Sequence, residues 1–158
     1  MANVGIFVAT MTGTAEMCAD EIETALRAVG AKPDRHLMDG RGADAVEPYE
    51  VLVIVSSTYG HGDIPDNGQA FYKAIQDGPS LAGKRYAVFG LGDMTYAATF
   101  CEAGRKWDAL FEEKGAVRVA PLLAHDASAG QLAEDVAGAW AAGWAGQLGE
   151  GATLAAAV

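Results

Sequence analysis

The sequence predicts an α/β fold, a doubly wound parallel sheet of five strands with helices on both faces. Three observations carry this. Short apolar runs alternate along the chain with amphipathic stretches at helical spacing. The run Val51 to Val55 is apolar and β-branched, as expected of a strand covered on both faces. No internal repeat or linker divides the 158 residues, a length suited to one domain with a real core.

The elements follow in order. Val4 to Ala9 makes the first strand, ended by the polar Thr and Gly residues that follow it. Cys18, Ile22, Ala25, Leu26 and Val29 recur at helical spacing, and Gly30 stops that helix. Arg35 to Met38 makes a short second strand, closed by Asp39, Gly40 and Gly42. Val51 to Ser56 is the third strand. Asp66, with Gln69 three residues on, gives a capping-box pattern for a second helix whose buried stripe is Phe71, Ala74 and Ile75. Tyr86 to Phe89 is the fourth strand. Phe100, Gly104, Trp107, Leu110 and Phe111 form the next helical stripe, ended by Gly115. Val117 to Leu123 is the fifth strand, and Leu132, Val136, Trp140 and Trp144 lie along a last helix. Strand and helix thus alternate five times, the pattern of a parallel sheet built from crossovers. Gly149 to Val158 is low in complexity and reads as a frayed tail, which leaves residues 1–148 as the folded domain.

Composition narrows the function. Apolar residues make up 51% and charged residues 20%, a balance that argues against disorder. The apolar runs are too short to span a bilayer, and no signal peptide is visible at the N-terminus. Cys18 and Cys101 lie far apart and read as reduced, packed thiols. Together these features predict a cytoplasmic protein. The formal charge of −10 offers no basic face for nucleic acid. That acidity serves solubility or steers encounters with a basic partner; composition does not choose between them.

In open parallel sheets, ligands bind beyond the carboxyl ends of the strands. After the first strand comes Thr10-Met11-Thr12-Gly13-Thr14-Ala15, three hydroxyls and a glycine where a helix begins. Helix-terminal amides and Thr hydroxyls there would hold a phosphate without Lys or Arg, none of which occurs between Met1 and Leu26. Ordinary helix capping by Thr is the other reading. After the third strand, Ser57-Thr58-Tyr59-Gly60-His61-Gly62 places an aromatic among small residues, either to lie against a planar ligand or as a polar surface loop. After the fourth, Leu91-Gly92-Asp93 leads to Tyr96, then Thr99, Phe100 and Cys101, so a second aromatic follows glycines at the same edge. Two other glycine patterns fail. Gly90-x-Gly92 has Thr95 where a dinucleotide fingerprint needs its third glycine, and Gly78 to Lys84 mimics a P-loop but precedes a strand and continues with Arg85. His36, His61 and His125 are isolated, no metal spacing is present, and no nucleophile–base pair suggests a catalytic residue.

Taken together, T-x-T-G-T-A-E at 10–16, S-T-Y-G-x-G-D-x-P-D-N at 57–67 and F-G-L-G-D-x-x-Y at 89–96 resemble flavodoxins. The likeness is nearest to MioC-type flavodoxins and to the FMN domains of sulfite-reductase and cytochrome-P450-reductase type enzymes, and it runs from about residue 3 to 147. The resemblance implies the strand order 2-1-3-4-5 and an FMN at the edge described. It places the phosphate on Thr10 to Ala15 and Tyr59 and Tyr96 on opposite faces of the flavin ring. It gives the Gly60 peptide a turn on reduction, and the backbone of Leu91 to Asp93 and Thr99 to Cys101 the pyrimidine end. Two departures stand out. The stretch from Tyr96 to Phe100 is one residue longer than in many relatives, and Met11 replaces a common Gln or other polar residue, which suggests a backbone role there.

The function implied is an electron carrier, monomeric, with no nucleic-acid or membrane partner. An NAD(P)H-dependent reductase fills it and an acceptor protein drains it, with electrostatic docking. A flavodoxin-like NAD(P)H:quinone reductase and an FMN domain excised from a diflavin reductase are the alternatives. The Y-G-x-G-D-x-P-D-N loop disfavours the former. The Gly/Ala tail disfavours the latter, and with no NADPH-binding module visible the hydride would enter from elsewhere.

Overall fold

The computed structural model describes residues 3–9, 13–58, 64–92, 101–127, 130–146 and 148. Alternate residues of each central strand face opposite layers, and both sets are apolar, which is why these runs form a sheet buried on both sides. The strands β1 (Asn3–Ala9), β3 (Val51–Ser57) and β4 (Arg85–Gly92) carry most of that burial. On one face Val4, Ile6, Val8, Val51, Val53, Val55, Ala87 and Phe89 pack under α1 (Thr14–Ala28) and α4 (Ala133–Ala145). On the other, Phe7, Leu52, Ile54, Tyr86 and Val88 pack under α2 (Asp66–Asp77) and α3 (Glu102–Glu113).

The path through the sheet is β2-β1-β3-β4-β5, all neighbours parallel, with β2 at Lys32–Leu37 and β5 at Val117–Arg118. The doubly wound order predicted from the sequence is present. A sixth strand, β6 (Leu123–Asp126), also pairs with β4.

Four details differ from the sequence reading. The fifth strand is broken in two. β5 pairs Arg118 with Tyr86, and β6 resumes by pairing Leu123 with Phe89, so residues between them are looped out. Pro121 stands in that gap, and lacking an amide it cannot continue a ladder. The second strand begins earlier than Arg35, because β1 extends its pairing back to Asn3 opposite Lys32. The connection from β2 to β3 holds a 3-10 helix over Ala43–Val46 where strict alternation would place an α-helix. The capping box at Asp66 is absent. Pro65 is the N-cap of α2, and Gln69 Nε2 donates to the Ile64 carbonyl at 3.1 Å and to Asp66 Oδ1 at 3.5 Å.

The buried stripe of α4 shares Trp144 with the large residues read along it and is otherwise made of alanines. Ala133, Ala137, Ala141, Trp144 and Ala145 are buried, Val136 and Trp140 are half-buried, and Leu132 is exposed at the N-cap. The small face lets α4 lie close on α1, where a Cβ at Gly138 would come 3.4 Å from Glu21 Cβ. The proposed tail, residues 149–158, lies outside the described residues.

Candidate functional site

The strand order reverses between β1 and β3. From β1 the chain goes outward to β2, then returns to β1's other side as β3. A crevice outside the carboxyl ends at such a point is the expected ligand site of an open α/β sheet. The pairs Ala9–Ser56, Ser57–Leu91 and Gly92–Asp126 bring the ends of β1, β3, β4 and β6 to one edge.

The first candidate loop meets that edge at α1. Thr10, Met11 and Thr12 lie outside the described residues, and Gly13, Thr14 and Ala15 are described. Gly13 is the N-cap, with φ 89° and ψ −9°, a left-handed conformation glycine adopts without Cβ strain. Its carbonyl accepts the amides of Glu16 at 3.1 Å and Met17 at 3.3 Å, which starts the helix. With glycine at the N-cap, the backbone amides of the first turn and the positive end of the dipole lie at this edge. Among the described residues, a Cβ at Gly13 would meet Glu16 Oε2 at 4.0 Å. Ala15 is buried, which leaves its backbone as the part able to serve a ligand. This donor set suits an anion. Arg35 also reaches this end of α1, donating to the Glu16 carbonyl at 3.1 Å, but its guanidinium is bound to the Asp20 carboxylate and lies 3.5 Å from Glu23. Burial pulls the Arg35 pKa down, and the Asp20 hydrogen bond with the charges of Glu23, Asp20 and Glu16 more than offsets it, so the pKa sits above its ordinary value.

The second loop starts at Ser57 and Thr58; Tyr59, Gly60, His61 and Gly62 lie outside the described residues. Its root is tightly held. Buried Ser56 Oγ accepts the Trp107 indole N–H at 3.1 Å and donates to the Ser57 carbonyl at 3.0 Å. Thr58 donates its amide to the Leu91 carbonyl at 3.1 Å, and its hydroxyl accepts the Ala103 amide at 3.3 Å. At the far side of this loop Asn67 Nδ2 donates to the Val8 carbonyl at 3.4 Å and to Asp39 Oδ1 at 3.0 Å, which ties α2 to β1 and to the turn after β2.

The third loop leaves β4 at Leu91 and Gly92. Asp93, Tyr96, Thr99 and Phe100 lie outside the described residues. Cys101 is buried at the N-cap of α3 with φ 51° and ψ 28°, and its thiol donates to the His125 carbonyl at 3.6 Å. Burial, with a smaller push from Asp126 against the pull of Arg105, raises the Cys101 thiol to about 11. Sequence reasoning missed β6, which sets buried His125 beside Leu91 and Asp126 beside Gly92. Pro121 was the available signal. It also missed Ser56, Asn67 and Trp107 as the anchors of these loops, because each acts on a segment distant in the chain. Among the described residues no cluster of His, Cys, Asp and Glu could hold a metal.

Comparison with known proteins gives a consistent picture. The family model described as Flavodoxin matches residues 6–140. The chain is 37% identical over 154 residues to flavodoxin YqcA of Escherichia coli (strain K12), covering 91% of this chain and 97% of that protein. It is 35% identical over 119 residues to the sulfite reductase [NADPH] flavoprotein alpha-component of Mannheimia succiniciproducens, covering 74% of this chain and 20% of that much longer protein. Among solved structures, a cysteine-to-alanine mutant of a flavodoxin from Pseudomonas aeruginosa superposes with a TM-score of 0.83 at 35% identity, over 90% of this chain and 96% of that one.

Proposed function

The chain belongs to the flavodoxin family, and from that premise we propose that it holds one FMN at the carboxyl edge of its sheet and carries electrons between proteins. A separate NAD(P)H-dependent reductase supplies them and an acceptor protein removes them, with docking guided by the acidic surface, in the cytoplasm and as a monomer. The observation that carries this is the N-terminus of α1. It is opened by left-handed Gly13, lies at the point where the strand order reverses, and has a neutral donor set suited to a phosphate.

Under this reading Thr10 to Ala15 hold the phosphate, Tyr59 and Tyr96 cover the two faces of the ring, and the Leu91 to Asp93 backbone meets its pyrimidine end. Bound FMN supplies the one- and two-electron redox chemistry. The protein's own residues bind it, orient it and exclude water. Ser56, Thr58 and Asn67 brace the loop roots, and the anchors are side chains whose partners are already in place.

The test is the absorbance spectrum of the purified protein, with its cofactor released and identified. A yellow protein with about one FMN and far weaker FAD binding is expected, since the phosphate turn closes on one anion. A colourless protein that ignores added FMN, or one with stoichiometric FAD, overturns the reading. The protein alone should oxidise NADPH negligibly until a reductase is added; steady NADPH–quinone turnover by the pure chain would favour the quinone-reductase alternative.

A further inference from the structure

A cavity of about 360 Å³ opens at the amino ends of β3 and β4, at the opposite end of the sheet from the three loops. It lies between the 3-10 turn Ala43–Val46, the end of α2 and the turn that leads into β4. Its walls are braced. A Cβ on Gly78 would come 2.8 Å from the Ala43 Cβ, so glycine lets the end of α2 close on the 3-10 turn. Lys114 Nζ donates to the Gly78 carbonyl at 2.6 Å, and the Lys114 carbonyl accepts the Leu81 amide at 2.8 Å. The segment from Gly78 to Lys84, which mimics a phosphate loop in sequence, forms one wall. Its Leu81, Ala82 and Lys84 amides are bonded to the Lys114 carbonyl, the Ser80 hydroxyl and the Leu81 carbonyl, so they do not cradle a phosphate. What the segment gives the cavity is the side chains of Leu81 and Lys84.

The charged residues lining the cavity are one cation and one anion, Lys84 and Glu47, and among the described residues they form no ion pair. Lys84 Nζ donates to the Glu47 carbonyl at 3.1 Å and to the Tyr49 carbonyl at 2.6 Å. Both bonds run to neutral groups, and an ammonium has a third proton to give. Glu47 is exposed, and its carboxylate acts on Lys84 as a nearby charge. Burial lowers the Lys84 pKa, against the smaller pull of Glu47 and Glu50, so an anion brought to this amine would be welcome. Most of the remaining lining is apolar, with Val46, Ile75 and Leu81 as its largest side chains.

We propose that this cavity binds a compact zwitterion with an apolar side chain, an α-amino acid of about the size of leucine. Its carboxylate meets Lys84, its ammonium meets Glu47, and its side chain lies against Val46, Ile75 and Leu81. The size agrees, since small-molecule sites run from about 300 to 1,000 Å³. The spacing agrees too. The Glu47 carbonyl is 3.1 Å from Nζ, so the Glu47 carboxylate lies within one side chain's length of the amine. A carboxylate and an ammonium on one carbon bridge such a gap. A plain carboxylate would face Glu47 with like charge, and a plain amine would face Lys84 in the same way. The site uses nothing from the edge assigned to the flavin, so it stands independently of the electron-carrier reading.

The experiment titrates the isotope-labelled protein, as purified, with L-leucine, isocaproate and isoamylamine, similar apolar bodies carrying both charges or either one. Backbone amide shifts report the site and the dissociation constants. Leucine should move the amides around Val46, Ile75 and Lys84 and leave those of Thr58 and Leu91 in place. Isocaproate and isoamylamine should each bind about tenfold more weakly, for the loss of one charged hydrogen bond. Lys84→Met should bring leucine down to the isoamylamine level, and Glu47→Gln to the isocaproate level. Lys84 also ties two carbonyls, so where its methionine variant does not fold the parent supplies the reading. There, bound leucine should raise the Lys84 pKa, followed through its side-chain carbon signals. Isocaproate bound as tightly as leucine, or a Glu47→Gln variant that binds leucine like the parent, overturns the proposal. So does a Lys84 titration that leucine leaves unmoved, and so does an absence of shifts around the cavity at millimolar leucine.

Discussion

Both thiols of the chain are held protonated by their surroundings. Cys18 is buried in the face of α1 that meets the sheet, and burial, with the nearby charge of Glu134, pushes it up to about 12 from an ordinary 9.0. Cys101 reaches about 11 chiefly by burial. At pH 8 the thiolate fraction of Cys101 is then about one in a thousand. Neither thiol should react with a disulfide reagent in the native protein at pH 8, and both should react in denaturant; one fast native thiol would contradict this burial. The same shifts act on stability. The folded thiols keep their protons to a higher pH than the unfolded ones, so the unfolded state binds fewer protons above about pH 9. Their contribution is complete below pH 9 and is lost as pH rises toward 11–12, which urea titrations at pH 8 and 10 would reveal. At the turn proposed for the phosphate, Thr12→Ala should weaken FMN far more than riboflavin, as expected of a hydroxyl assigned to the phosphate alone. Gly13→Val should do the same and also cost about 1–2 kcal/mol of stability, since φ 89° is strained for a β-branched residue. Equal losses for the two flavins would move the phosphate elsewhere.

At the scale of elements, the seat of α3 on β4 depends on two glycines. A Cβ on Gly104 would come 3.1 Å from the Gly90 Cα, a backbone atom that cannot step aside. Gly104→Ala should lift α3 and cost about 1–3 kcal/mol, read as a lower denaturant midpoint with an unchanged m-value. An unchanged midpoint would mean that the helix slides freely. This contact also shows what sequence could and could not reveal. Gly90 was legible as part of a glycine pattern and Gly104 as part of a helical stripe, yet their approach required the topology. The central strands were legible because Val51 to Val55 has one physical use. Of the Leu132, Val136, Trp140 and Trp144 series, Trp144 is buried and Val136 and Trp140 are half-buried, whereas Leu132 is exposed and the other buried positions of α4 are alanines that fit closely on α1. The loops at the edge suggest chemistry from their composition, Thr and Gly for a phosphate and Tyr for a ring, and that assignment belongs to the proposed function. Their anchors were not legible, because Thr58 with Ala103 and Ser56 with Trp107 join segments that no local pattern connects.

Across the whole molecule the governing quantity is charge. A reduced flavin that becomes an anion must do so inside a protein of formal charge −10. One carboxylate about 10 Å away, at an effective dielectric near 20, opposes that anion by roughly 1.7 kcal/mol. For one electron this is about 70 mV, taking 59 mV per tenfold change. Asp63 and Asp93, in the loops assigned to the flavin, are the natural contributors. Salt screens exposed charges over a Debye length of about 10 Å at 0.1 M. Raising ionic strength should therefore raise the potential of the final electron and slow transfer to a basic partner. Potentiometric titration at low and high salt, repeated for Asp63→Asn and Asp93→Asn, checks this. A potential that neither salt nor substitution moves would leave the acidity to solubility or docking.

The five ladders of the sheet are all parallel, so each strand must wait for a partner that lies beyond a crossover. The consequence falls on synthesis. When β3 leaves the ribosome it can dock on β1, but its other edge stays open until α2 and then β4 have been made. At about 5–20 residues per second that is a wait of roughly a few seconds. During it Val51 to Val55 offers an uncharged, β-branched edge, the kind of segment that recruits a second nascent chain. Damage to β4 should therefore be felt less as a lowered melting temperature than as fewer molecules that ever reach the folded state.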